Sequence, residues 1–162
     1  MSAIPQVVLF GSIEGDWRER HVIPLLTELG VTYYNPVKPQ GWTYAAGDIE
    51  AEYMARCETI VMVFNNTSPA FAALAETGWA ALGCVLRDQH FILQINPDFP
   101  KEQPSPAAAS EGSEQSDKEL EGWVTRSRYL VYKHAREFKH PRLHLVADIS
   151  AVVAKLREIY AR

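Results

Sequence analysis

The strongest constraint on this chain is a set of short, nearly continuous apolar runs separated by stretches with helical spacing. Gln6-Val7-Val8-Leu9-Phe10, Thr59-Ile60-Val61-Met62-Val63-Phe64 and His90-Phe91-Ile92-Leu93-Gln94-Ile95 each stop at a turn-forming Gly or Asn. Runs of this kind read as strands buried on both faces, because a half-exposed strand would alternate apolar with polar residues. Two shorter segments, Val31-Thr32-Tyr33-Tyr34 and Leu143-His144-Leu145-Val146, complete a set of five. Between the strands, Val22, Leu25, Leu26 and Leu29 recur at helical spacing from about Trp17 until Gly30 ends the pattern. Further helices are predicted from Asp48 to about Arg56, from Ser68-Pro69 to Gly83, from Lys118 to about Phe138, and from Asp148 to Tyr160. Ser68 reads as the N-cap of the third, with Pro69 as its first helical residue.

Strand–helix alternation with fully apolar strands predicts an α/β fold, a five-stranded parallel sheet covered on both faces. Right-handed crossovers make it doubly wound, with the flavodoxin-like strand order 2-1-3-4-5. At 162 residues the chain has room for one such domain. Its one departure is residues 97–117, which hold four prolines and four serines and few large apolar side chains. That segment reads as a flexible insertion, either a plain solvated loop or a lid or oligomer contact.

Composition narrows the function. A net charge of −4 with no dense Lys/Arg run argues against nucleic acid as a partner. No stretch approaches the ~18 apolar residues of a membrane helix, and Met1–Pro5 lacks the basic start of a secretory signal. Cys57 and Cys84 form no CxxC pair, and the five histidines show no metal-ligand spacing. A cytoplasmic domain with no metal and no cofactor is the expectation.

In doubly wound sheets ligands bind beyond the carboxyl ends of the strands, which directs attention to loops 11–17, 35–44, 65–69 and 96–117. In the first, Gly11 permits close backbone approach and Ser12 adds a hydroxyl, although an ordinary βα turn has the same composition. In the second, Trp42 and Tyr44 stand among prolines, placed either to stack on a planar base or to pack on the sheet edge. The third leads into Ala72-Ala73-Leu74-Ala75-Glu76-Thr77-Gly78-Trp79-Ala80. Glu76 is the only carboxylate between Pro69 and Leu86. It either marks a narrow solvated stripe or is a poorly solvated carboxylate, which the helix dipole would keep ionised if the helix starts near Ala72. Gly78, costly inside a helix, points to close packing on a neighbour. A poorly solvated, ionised carboxylate is suited to nucleophilic attack at a sugar carbon.

Gly11-Ser12-Ile13-Glu14 after the first strand, Asn35-Pro36 after the second, and Ser68-Pro69 with Ala75-Glu76-Thr77-Gly78-Trp79-Ala80 after the third resemble nucleoside 2-deoxyribosyltransferase-like proteins over residues 6–95. Relatives of that kind include nucleotide N-glycosidases. The resemblance implies cleavage or transfer at the N-glycosidic bond of a nucleoside or nucleoside monophosphate, with Glu76 as the nucleophile of a covalent glycosyl intermediate. It implies Gly11 and Ser12 at the sugar or 5′-phosphate end, Asn35 and Trp42 near the base, and Asn66 and Ser68 in the third loop. It also implies a homo-oligomer. Where the family often has an aspartate after the third strand, this chain has Asn65-Asn66. Asp48 and Glu52, four apart on one helical face, are the substitutes for acid–base work, or else a solvated pair. The missing aspartate favours a rival reading, a non-catalytic nucleotide- or nucleotide-sugar-binding module.

Overall fold

A computed structural model describes residues 3–39, 41–97 and 114–161. Five strands, β1 (Val7–Gly11), β2 (Tyr33–Tyr34), β3 (Thr59–Phe64), β4 (His90–Ile95) and β5 (Leu143–Val146), form one parallel sheet in the order β2-β1-β3-β4-β5. This is the predicted doubly wound, flavodoxin-like arrangement. The helices are α1 (Ile23–Glu28), entered through a π-helical turn (Arg18–Val22), then α2 (Tyr44–Arg56), α3 (Phe71–Leu86), α4 (Glu114–Phe138) and α5 (Ile149–Tyr160).

Alternate strand residues feed two cores. Val7, Leu9, Val61, Val63 and Ile92 pack with Val22, Leu25 and Leu26 around α1 and with Val152 and Leu156 of α5. Val8, Phe10, Ile60, Met62, Phe64, Phe91 and Leu93 pack on the other face with Ala73, Ala80 and Cys84 of α3, and with parts of α2 and α4. Continuous apolar sequence is needed because both faces of β1, β3 and β4 are covered.

Several helix boundaries differ from the sequence expectation, each for an identifiable reason. The expected helix from Trp17 opens as a π turn in which the Ile23 N–H bonds the Arg18 carbonyl. Pro24 follows immediately and has no N–H to continue an ordinary ladder. α2 begins at Tyr44, four residues before Asp48, because the Thr43 hydroxyl caps it by accepting from the Ala46 N–H at 3.1 Å. α3 begins at Phe71 instead of Pro69, after Ala70 in a left-handed conformation (φ 54°). Nor does it stop at Gly83: a Cβ there would lie 2.3 Å from Oε1 of buried Gln89, so this glycine accommodates Gln89 mid-helix. α4 starts at Glu114, ahead of Lys118. Of the expected insertion, residues 98–113 lie outside the described residues.

Gly11 ends β1 with φ +109°, and a Cβ there would meet the Val63 carbonyl oxygen at 2.2 Å. The Ser12 N–H then donates to that same carbonyl at 2.8 Å, so the chain leaves β1 pressed against β3. No helix among the described residues is long and apolar enough to cross a membrane.

Candidate active site

Where β1 ends, the loop after β2, α2 and α3 enclose a cavity of about 630 Å³. α2 gives it Gly47, Glu50, Ala51, Met54 and Ala55, a stripe repeating every three to four residues. α3 gives Ala72, Ala73, Glu76 and Trp79. Phe10, Gly11 and Ile13 form the wall at the end of β1, and Pro36, Val37, Lys38 and Trp42 close the side of the second loop. The lining is mostly apolar, so the two carboxyls in it stand out.

Glu76 is half-buried, and burial, with the charge of Glu50 added to it, pushes its carboxyl up to about 7. The helix dipole, expected to help keep this group ionised, does not outweigh that burial. Glu76 is the sixth residue of α3, past the first turn where the dipole acts most strongly. No described residue donates a hydrogen bond to it.

Glu50 is the residue that sequence reasoning missed. Its Oε2 accepts from the Trp42 indole Nε1–H at 3.3 Å, and the Tyr34 hydroxyl and the charge of Lys38 also favour its ionised form. Burial outweighs them and leaves it above the ordinary carboxylate range. Asp48 and Glu52, the expected substitutes, are exposed on a different side of α2, and Glu52 pairs with Arg56 at 2.5 Å. Once the helix is capped at Thr43, the stripe at 47, 50, 51, 54 and 55 is the inner one. A lone acid among its small and apolar residues was the available signal.

The remaining expected site residues divide. Gly11 and Trp42 line the cavity. Ser12 is fully buried outside the lining, with its carbonyl accepting from Trp17 Nε1 (3.2 Å) and Arg18 Nη1 (2.8 Å). Asn35 shapes the second loop, its Oδ1 accepting from the Val37 N–H (3.1 Å) and its Nδ2 donating to Glu19 (3.3 Å). Asn66 and Ser68 are not among the cavity's lining residues. The Ser68 and Asn65 carbonyls accept from Arg128 Nη2 of α4 at 2.7 and 2.9 Å, and Asn65 Nδ2 donates to the Glu14 carbonyl at 2.7 Å. The third loop is thus tied down by polar contacts instead of presenting an acid.

Gly78, expected to mark close packing, is exposed, with nothing within 4 Å of a Cβ position. Among the described residues no group of three or more His, Cys, Asp or Glu is placed to hold a metal. No protein-family model matches the chain, and no curated protein matches it.

Proposed function

We propose that the chain cleaves or transfers the N-glycosidic bond of a nucleoside or nucleoside monophosphate, with Glu76 as nucleophile and Glu50 as its proton partner. The observation that carries this reading is the pair of raised carboxyls in one apolar cavity, walled by Trp42 and Trp79. Two interacting carboxyls of this kind titrate as a unit and hold one proton near neutrality. The resemblance of the Gly11-Ser12, Asn35-Pro36 and Ala75–Ala80 segments adds support from the sequence.

Among the described residues none donates a hydrogen bond to Glu76, whereas Glu50 accepts from Trp42 and Tyr34 and feels the charge of Lys38, which favours the shared proton on Glu76. Positive charge developing at the anomeric carbon of a bound sugar favours ionised Glu76 and sends the proton to Glu50. A Glu76 oxygen then bonds to that carbon as the carbon–nitrogen bond breaks, and Glu50 protonates the departing base. Glu50, again a carboxylate, takes a proton from water or from an incoming base, which displaces Glu76 and restores the pair. The Trp42 and Trp79 rings are suited to stacking on the base. Glu76→Gln should abolish base release, followed by liquid chromatography across a panel of nucleosides and monophosphates. Ligand binding without release in the wild type would instead favour the binding module, the reading that Asn65-Asn66 supports.

The homo-oligomer belongs to the same proposal. Ala75, Gly78, Trp79, Leu82, Val85 and Leu86 form an exposed, uncharged stripe along α3, and Trp79 joins it to the cavity. A second copy packed there would complete the rim of the site, and Trp79→Glu should shift the sedimentation of the protein to that of a single chain. Cys57 and Cys84 are buried free thiols, which fits a reducing, cytoplasmic setting.

A further inference from the structure

The indole of Trp42 is seated along α2 where a side chain at position 47 would force it to shift. Gly47 is in the second turn of the helix, and a Cβ there would stand 2.8 Å from Trp42 Cζ2. The absent side chain leaves a notch, and the ring lies back over it from just before the Thr43 cap. Tyr44 meets the ring edge-on, with centroids 5.4 Å apart. Lying so, the indole directs Nε1 onto Glu50 Oε2, one turn further along the helix.

We propose that Trp42 is a positioning residue: seated in the Gly47 notch, its indole N–H fixes the Glu50 carboxylate at the cavity wall and favours the charged form of that carboxylate. The other groups around Glu50 are Tyr34 from β2, Lys38 from the second loop, Tyr53 from α2, Glu76 from α3, and Arg87 just past the end of α3. Lys38 and Tyr34 also favour the ionised form, and Glu76 opposes it when charged. Lys38 lies over the Tyr34 ring, 5.0 Å from its centroid, so these two act from the β2 side and Trp42 from the helix side. A hydrogen bond to the charged form lowers a carboxylate's pKa, so removing the indole N–H must raise it. The consequence for turnover rests on the glycosyl-transfer reading; the hold of Trp42 on Glu50 does not.

The test is a carbon-13 NMR titration of the glutamate carboxyls in the intact protein. In Trp42→Phe, which keeps a ring and loses the donor, the Glu50 midpoint should move to higher pH by on the order of one pH unit. Gly47→Ala, which fills the notch while keeping the donor, should move it the same way. Trp123→Phe, on the exposed side of α4, is the control and should leave it unchanged. A Glu50 midpoint unmoved in folded Trp42→Phe or Gly47→Ala protein would overturn the proposal. A wild-type protein that cleaves no nucleoside would remove the functional reading and leave this result standing.

Discussion

Glu50 of α2 and Glu76 of α3 line the same cavity, and the charge of Glu50 adds to the burial that pushes Glu76 up to about 7. The two come from helices separated in sequence by the whole of β3. The sheet order makes them neighbours by placing α2 and α3 on the same face, in the core that holds Val8, Phe10 and Ile60.

Removing Glu50's charge tests this coupling. Glu50→Gln should lower the rate of base release about 10²–10⁴-fold, since the proton route is lost. What activity remains should show an acidic limb at lower pH than the wild type, because Glu76 ionises more readily without a charged neighbour. The pH dependence of kcat/KM measures both effects. An unmoved limb would mean that the carboxyls act separately.

Glu76 also costs stability, with a definite sign. Its ordinary value is 4.5 and its folded value about 7, so between those limits the folded chain keeps a proton that the unfolded chain has released. The stabilisation this represents is present below pH 4.5 and is lost as pH rises to about 7. Glu76→Gln escapes the loss. Its melting temperature should gain on the wild type across that window and stay ahead by a constant margin above it, as read by thermal unfolding at a series of pH values.

How much of this was legible in the sequence follows from where each piece of information lies. The apolar runs at Val7–Phe10, Thr59–Phe64 and His90–Ile95 mark the central strands, because strands of a parallel sheet buried on both faces must be apolar throughout, whereas the strand order rests on the handedness of the crossovers and not on the runs. Glu76 stood out as the single acid in an Ala-rich helix. Glu50 did not, because the start of α2 rests on the Thr43 cap, and without it Asp48 and Glu52 are the natural pair. The start of α3 was beyond local reading for another reason. Ser68 resembles a cap, but its carbonyl is held by Arg128, sixty residues away in sequence.

That long-range tie gives a prediction of its own. Arg128 is fully buried and one of its nitrogens serves the carbonyls of both Asn65 and Ser68. Arg128→Met keeps much of the volume and removes the donors, which should cost about 2–4 kcal/mol in urea unfolding. Base release should also fall, although Arg128 is not among the cavity-lining residues, because the entry to α3 positions Glu76.

A second pH effect lies at the far edge of the sheet. His90 Nδ1 and His144 Nε2 are 3.0 Å apart, bridging β4 and β5, and Arg142 Nη1 is 2.9 Å from His90 Nε2. The arginine is a donor only, so the proton order runs Arg142 to His90 to His144 with both imidazoles neutral. Burial, then the charge of Lys155, lowers His144 to about 4, and burial and Arg142 lower His90. A base lowered by folding gives stability that is present above its unfolded value of 6.5 and is lost as pH falls towards about 4. Thermal unfolding should weaken through that range, and His144→Gln should flatten the slope.

Which oxygen bonds to the sugar can be read directly by trapping the glycosyl ester. A 2-deoxy-2-fluoro nucleoside slows both displacements by destabilising positive charge at the anomeric carbon, so the glycosyl ester accumulates. Peptide mass spectrometry after such an incubation should find the sugar on the peptide containing Glu76, and none in Glu76→Gln. Base release with no adduct, or an adduct on Glu50 alone, would contradict Glu76 as the nucleophile.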